Sequence, residues 1–236
     1  MLYIIATPIG NLEDITLRAL RTLREVDLIA AEDTRNSGVL LKKYEIKTRL
    51  TSFHAFSDQR KLDEIIGMLK EGKNVALISD AGTPGISDPG FVLIRAARAA
   101  GIKVVPIPGP SAFLTALSAS GLPINHFLYL GFLPMKKGRQ TMLRALQEEQ
   151  NTVVFYESPH RIVKTLGELA EYFPERKLVI ARELTKIFEE FVEGSAAELL
   201  TYFSQKTPKG EFVVIMDGKD VKAERHGRAE GAGFDE

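Results

Sequence analysis

The sequence predicts an α/β protein in two halves, and three observations carry that expectation. Short apolar runs alternate with stretches of helical period through the first half, the signature of a mostly parallel, wound sheet. Loops rich in glycine, proline and acceptor side chains follow those runs, at the edge where open α/β sheets bind ligands. Around Ser120-Gly-Leu-Pro-Ile-Asn the alternation breaks, and the runs beyond it need fewer parallel connections, which predicts a mixed sheet.

In order, Leu2-Tyr-Ile-Ile-Ala reads as a first strand, broken by Thr7-Pro-Ile-Gly-Asn, after which Leu17, Leu20, Leu23 and Val26 recur at helical spacing. Leu28-Ile-Ala-Ala is a second strand running into Glu32-Asp-Thr-Arg; a helix and the short segment Arg49-Leu-Thr-Ser-Phe-His follow. Residues 58–71 place Leu62, Ile65, Ile66 and Leu69 on one helical face. Asn74-Val-Ala-Leu-Ile is a buried strand, and a helix with Ile94, Ala97 and Ala100 precedes the strand Lys103-Val-Val-Pro-Ile and its loop Pro108-Gly-Pro-Ser-Ala. The expected first domain is residues 1–121 and the second 122–218. Phe127-Leu-Tyr-Leu-Gly-Phe-Leu-Pro opens the second, with strands at 152–156, 178–182, roughly 187–192 and 212–216, and helices at 138–149, 159–172 and 196–203. From Lys219 the chain is polar and rich in small residues, so 219–236 reads as a disordered tail.

Bulk properties bound the function. The 31 basic and 31 acidic side chains cancel, so a nucleic-acid partner needs a local basic patch, not a global field. No cysteine is present, which excludes disulfides, thiolate nucleophiles and Cys-ligated zinc. Met1 to Ala6 is too short and lacks a basic leader for a signal peptide, and no apolar run is long enough to cross a bilayer. The expectation is a cytoplasmic protein with no membrane partner and no metal.

Four loops stand at strand ends in the first half: Thr7-Pro-Ile-Gly-Asn, Glu32-Asp-Thr-Arg, Ser79 to Gly90, and Pro108-Gly-Pro-Ser-Ala. The third reads Ser-Asp-Ala-Gly-Thr-Pro-Gly-Ile-Ser-Asp-Pro-Gly, with Asp80 and Asp88 as acceptors. Each loop alone is explained by turn chemistry; their conjunction at one sheet edge points to a site. None fits the dinucleotide fingerprint or the phosphate loop of nucleotide hydrolases. In the second half, Tyr156-Glu-Ser-Pro-His-Arg ends a strand, with Ser158 as N-cap and Pro159 in the first turn of a helix, which leaves Glu157, His160 and Arg161 unexplained. Ala181-Arg-Glu-Leu-Thr-Lys gathers Arg182, Glu183 and Lys186 at another strand end, and Lys136-Lys-Gly-Arg-Gln with Arg144 is a local basic cluster suited to phosphate.

In order and spacing these segments, together with Gly131-Phe-Leu-Pro, resemble the tetrapyrrole methylase superfamily over residues 2 to about 218. Thr7-Pro-Ile-Gly-Asn replaces the glycine-rich first loop of the porphyrin methylases, which favours the branch that methylates ribosomal RNA. The resemblance implies a two-domain fold with S-adenosylmethionine in a cleft between the domains. It also implies a homodimer that methylates a ribose 2′-hydroxyl of a decoding-site cytidine in 16S rRNA, within the 30S subunit. By motif, Pro8, Asp80, Ala81, Gly82, Thr83, Ile86, Ser111 and Ala112 would line the donor from the first domain, and Tyr156, Glu157, Leu184, Gly210 and Glu211 from the second.

A hydroxyl is a poor nucleophile, so a carboxylate or a desolvated lysine should share its proton. Asp33, Glu183 and Lys186 are the catalytic candidates, Asn11, Arg35 and Arg161 would hold sugar or phosphate, and Lys136, Lys137 and Arg139 the RNA backbone. Two alternatives stand beside this reading: a small-molecule methylase acting on a tetrapyrrole, and a ribosome-associated RNA-binding module without catalysis.

Overall fold

The computed structural model describes residues 1–54, 59–86 and 90–219. Asp88 and the expected tail beyond Lys219 lie outside them. The chain forms two compact units, Met1–Ala112 and Phe113–Glu236.

In the first unit, strands β1 (Leu2–Ile5), β2 (Leu28–Ala31), β3 (Leu50–Ser52), β4 (Val75–Ile78) and β5 (Val104–Ile107) make one sheet in the order β3-β2-β4-β1-β5. Every pairing is parallel. Strand periodicity of two sends alternate residues to opposite faces. Ile5, Ile29, Ala31, Ala76, Ile78 and Ile107 pack with Leu20, Leu23, Leu40 and Leu41 of helices α1 (Leu17–Glu25) and α2 (Thr34–Lys43). Leu2, Ile4, Leu28, Ala30, Val75 and Leu77 pack with Ile65, Leu69, Leu93 and Ala97 of α3 (Gln59–Lys70) and α4 (Phe91–Ala99). Helices on both faces are why β2 and β4 are apolar at every position rather than alternating.

Helix α5 (Ala112–Ala119) follows, and it accounts for a shift in the domain boundary. The Phe113 ring stacks on Tyr129 at 4.4 Å between centroids, and its backbone N–H donates to the Tyr156 hydroxyl at 3.3 Å. These contacts put α5 with the second unit, so the division falls after Ala112 and not after the expected Gly121.

The second unit builds a sheet from β6 (Phe127–Phe132), β7 (Thr152–Glu157), β8 (Lys177–Arg182), β9 (Glu190–Ser195) and β10 (Phe212–Met216), in the order β6-β7-β10-β8-β9. Only β6 and β7 pair in parallel. Helices α6 (Arg139–Leu146), α7 (Ile162–Tyr172) and α8 (Ala196–Ser204) bury Leu143, Leu166, Leu169 and Leu199 with Phe155, Ile180, Phe212 and Val214. Ser195 and Glu198 form a reciprocal capping box at the start of α8.

Two expected boundaries move. Helix α7 begins at Ile162 rather than 159, without a side-chain cap. The Ser158 carbonyl accepts the N–H groups of Arg161 and Ile162, so residues 158–161 close a turn before the helix starts. Strand β9 begins at Glu190 rather than near 187, because Glu183 and Thr185 adopt φ of +52° and +65° and fold the preceding residues into tight turns.

Candidate functional site

All five strands of the first sheet run in parallel, so the loops that follow them leave from one edge, and there they are knitted together. Thr7 and Gly82 exchange backbone hydrogen bonds at 2.9 and 3.0 Å, and the buried Thr7 hydroxyl donates to the Ser79 carbonyl at 3.0 Å. The Thr83 hydroxyl donates to the Pro110 carbonyl at 3.2 Å. Asp80 accepts the Asp33 N–H at 3.0 Å and the Asn36 side-chain amide at 2.8 Å. Four loops that the sequence separates by dozens of residues thus form one cluster.

Two glycines permit this close approach. Gly82 has φ of +78°, where a side chain is strained, and a Cβ on Gly109 would lie 3.0 Å from that of Ala6. The cluster brings together Pro8, Asp80, Ala81, Gly82, Thr83, Ser111 and, at its end, Ala112; Pro8 and Ser111 are buried, whereas Asp80, Ala81 and Ile86 are exposed. Thr7 and Gly109 stood in the sequence reading only as parts of their loops, and Asn36 escaped it, because their importance lies in contacts across the chain that no periodicity reveals.

Asp33 and Arg35 are engaged with each other. Asp33 caps α2 by accepting the Arg35 N–H at 2.8 Å, and the Arg35 guanidinium binds both carboxylate oxygens at 2.5 to 3.2 Å. Those hydrogen bonds from the Arg35 side chain and backbone lower the Asp33 pKa to about 2, so its carboxylate is a weak base. The Asn11 side chain accepts the Glu13 N–H and caps the single 3-10 turn Leu12–Asp14.

A second cluster lies at one edge of the second sheet. Phe212 at the start of β10 pairs with Glu157 at the end of β7 and Arg182 at the end of β8, so Tyr156, the 183–186 turn and Gly210-Glu211 share that edge. The Lys186 ammonium donates to Glu183 at 2.9 Å and to Glu211 at 2.8 Å. Glu183 in turn accepts the Glu211 N–H at 3.1 Å. Gly210 has φ of +93°, and a Cβ there would stand 2.5 Å from the Glu183 side chain. Burial alone would lower the Lys186 pKa, but the hydrogen bonds to Glu211 and Glu183 outweigh it and hold the pKa above the ordinary lysine value. For Glu183 burial acts upward, and the bonds from Lys186 and the Glu211 N–H bring the net shift below the ordinary carboxylate value. Leu184 is buried, and burial followed by the nearby Tyr129 pushes the Tyr156 phenol upward.

Two expected site residues, Glu157 and Arg139, turn inward instead, and Arg161 is half-buried beside them. The Glu157 carboxylate is fully buried; it accepts from the Ser158 N–H at 2.8 Å and the Thr165 hydroxyl at 2.7 Å, and it pairs with Arg161 at 3.1 Å. Arg139, with its side chain 6% exposed, binds Glu168 at 2.7 Å, Thr165 at 2.7 Å and the Pro134 carbonyl at 3.0 Å. Arg161 also donates to the Leu133 carbonyl at 2.7 Å. The expectations of the Glu157 carboxylate as a donor ligand and of Arg139 as an RNA contact are therefore corrected: these side chains brace the 133–138 loop against α7, while Arg161, its side chain 23% exposed, shares in that bracing with part of its guanidinium. Lys136 and Lys137 remain exposed on that loop. Among the described residues no three His, Cys, Asp or Glu side chains gather as a metal site, and no helix is long and apolar enough to cross a membrane.

Comparison with known proteins adds an independent line. A model of the family described as Tetrapyrrole (Corrin/Porphyrin) Methylases matches residues 1–200. The chain is 49% identical over 219 residues to the ribosomal RNA small subunit methyltransferase I of Thermotoga maritima, covering 93% of this chain and 99% of that protein. It is 50% identical over 227 residues to the protein of the same name from Escherichia coli O157:H7, covering 94% and 79% respectively. Among solved structures, the uroporphyrin-III-C-methyltransferase of Thermus thermophilus superposes with a TM-score of 0.63 at 24% identity, over 95% of this chain and 97% of that one. A cobalt precorrin-4 methyltransferase of cobalamin biosynthesis gives a TM-score of 0.69 at 16% identity, over 92% and 94%. These two likenesses speak to the fold.

Proposed function

The chain belongs to the tetrapyrrole methylase family, and from that membership we propose that it uses S-adenosylmethionine to methylate small-subunit ribosomal RNA, at the ribose 2′-hydroxyl of a decoding-site cytidine. The observation that carries this reading is the near-half identity along 93% of the chain and 99% of the Thermotoga maritima relative, whose name states that activity class. The same reading makes it a cytoplasmic homodimer acting on the 30S subunit.

The first-unit loop cluster fits the donor. Gly109 is exposed and carries no side chain over its main chain, whereas Gly82 spends its N–H and C=O on Thr7 and shapes the loop; a zwitterionic amino-acid end and an adenine edge are both served by backbone N–H and C=O groups. Pro8, Ala81, Gly82, Thr83, Ile86, Ser111 and Ala112 are the residues proposed to hold it. Asp80 contributes its main chain, since its carboxylate is spent on Asp33 and Asn36.

When bound, S-adenosylmethionine supplies an electrophilic methyl group on a sulfonium. The protein's part is to hold the ribose oxygen in line and to manage its proton. Lys186 is charged at neutral pH in its two-carboxylate setting, so it serves as a hydrogen-bond donor to the oxygen as negative charge develops, and not as the proton acceptor. Glu183, ionised and fixed by the Glu211 N–H, orients that ammonium. Glu211, whose side chain is 74% exposed, is the carboxylate open to receive the proton. Asp33 keeps α2 and Arg35 in place, leaving Arg35 with a side chain 88% exposed to meet phosphate.

Incubating the protein with methyl-labelled S-adenosylmethionine and either 30S subunits or a free porphyrinogen tests the proposal. Label in 16S rRNA alone supports it; label in the porphyrinogen alone, or in neither, overturns it.

A further inference from the structure

A neutral protein must concentrate cations locally to hold a polyanion, and with Arg139 buried the 136–139 segment offers only Lys136 and Lys137. A larger concentration lies elsewhere. Helix α1 buries Ala19, Leu20, Thr22 and Leu23 and leaves Arg18, Arg21 and Arg24 exposed, one turn apart on a slanting ridge. Lys42 and Lys43 at the end of α2, and Lys47 and Arg49 before β3, are exposed as well.

Hydrogen bonds join the two sets into one surface. Arg24 donates to the Tyr44 carbonyl at 3.0 Å, the Thr48 hydroxyl donates to the Leu23 carbonyl at 2.6 Å, and the Tyr44 hydroxyl donates to the Leu12 carbonyl at 2.8 Å. Seven cations therefore stand together, with only Glu25 and Glu45 as carboxylates in the same two stretches. None of the ion pairs among the described residues involves any of the seven.

Helix dipoles explain part of this arrangement. Arg24, Lys42 and Lys43 sit in last turns, where cations are stabilising. Arg18 sits in a first turn, against the positive end of α1, and Arg21, Lys47 and Arg49 lie outside any last turn. Fold stability gives no reason for those four.

Resting on the rRNA reading above, we propose that this ridge binds the sugar-phosphate backbone of the folded rRNA substrate, away from the reacting nucleotide. The C-terminal ends of α1 and α2 lead back into β2 and β3, so Arg24, Lys42, Lys43 and Lys47 lie toward the sheet edge opposite the loop cluster. Arg18 lies toward the cluster. The ridge spans the helix layer from one edge to the other and gives a sequence-independent anchor that sets register, as phosphate contacts do.

The test compares two triple variants with the wild type: Arg21→Gln/Lys43→Gln/Lys47→Gln on the ridge, and Lys70→Gln/Arg98→Gln/Lys103→Gln, exposed cations associated with the other helix layer. Affinity for 16S rRNA is measured across salt concentrations, with kcat and KM for methylation of 30S subunits and calorimetry with S-adenosylmethionine. The ridge variant is expected to flatten the slope of log affinity against log salt by about 2 to 3 and to raise KM for RNA about tenfold. Its donor affinity should match that of the wild type. A salt slope equal to wild type, or an equal loss in both triples, overturns the ridge while leaving the methylation reading intact. A wild-type protein that leaves rRNA unmethylated overturns both.

Discussion

Lys186 shows how far a single side chain can be read from its neighbours. Its ammonium is held between Glu183 and Glu211, and both hydrogen bonds favour the charged form. Because its folded pKa is raised, its contribution to stability holds below the ordinary lysine value and is lost as pH rises through the folded one. The lowered Glu183 gives the opposite limb, present above the ordinary carboxylate value and lost on acidification. If the charge and not the basicity matters, Lys186→Arg should keep turnover within about tenfold and Lys186→Met should lose about 100-fold or more, with donor affinity unchanged in both. Equal, complete loss in both variants, with a pH profile showing an essential group deprotonating near neutrality, would restore the lysine as base. Glu157 teaches the converse. Its place at a strand end marked it as a ligand in the sequence, but its partners Thr165 and Arg139 lie on helices whose packing the sequence does not display. Glu157→Gln should cost about 1 to 3 kcal/mol in denaturant unfolding, since Arg161 loses its carboxylate partner while Arg139 keeps Glu168. A loss under 1 kcal/mol would remove the bracing role.

At the scale of elements, strands and helices were legible wherever apolar residues recurred with a clear period, as in β2, β4 and α1. Their ends were less so. The start of α7 is set by the Ser158 carbonyl accepting two N–H groups, and the start of β9 by left-handed backbone at Glu183 and Thr185. Neither residue type announces such a conformation, which is uncommon outside glycine. The turn before β10 carries a matching constraint. Gly210→Ala would place a methyl 2.5 Å from the Glu183 side chain at a φ of +93°. It should destabilise the protein by about 1 to 3 kcal/mol and lower kcat at least tenfold by displacing Glu183 from Lys186. Thermal unfolding and steady-state kinetics check both, and wild-type turnover would detach that turn from catalysis.

For the whole molecule, the motifs that resembled the tetrapyrrole methylases were legible because they are strand-end loops, whose residues are chosen for turns and ligands rather than for packing. What stayed hidden was how those loops tie together through Thr7, Asp80 and Thr83, and how a neutral chain distributes its charge. Both depend on which distant segments the sheet order brings side by side. Nucleoside mass spectrometry of 16S rRNA, after incubating 30S subunits lacking the modification with this protein and deuterated S-adenosylmethionine, tests the central claim most directly. A deuterated 2′-O-methylcytidine at the decoding site is the expected result. An rRNA without deuterium, or with it on a base rather than a ribose, would contradict it.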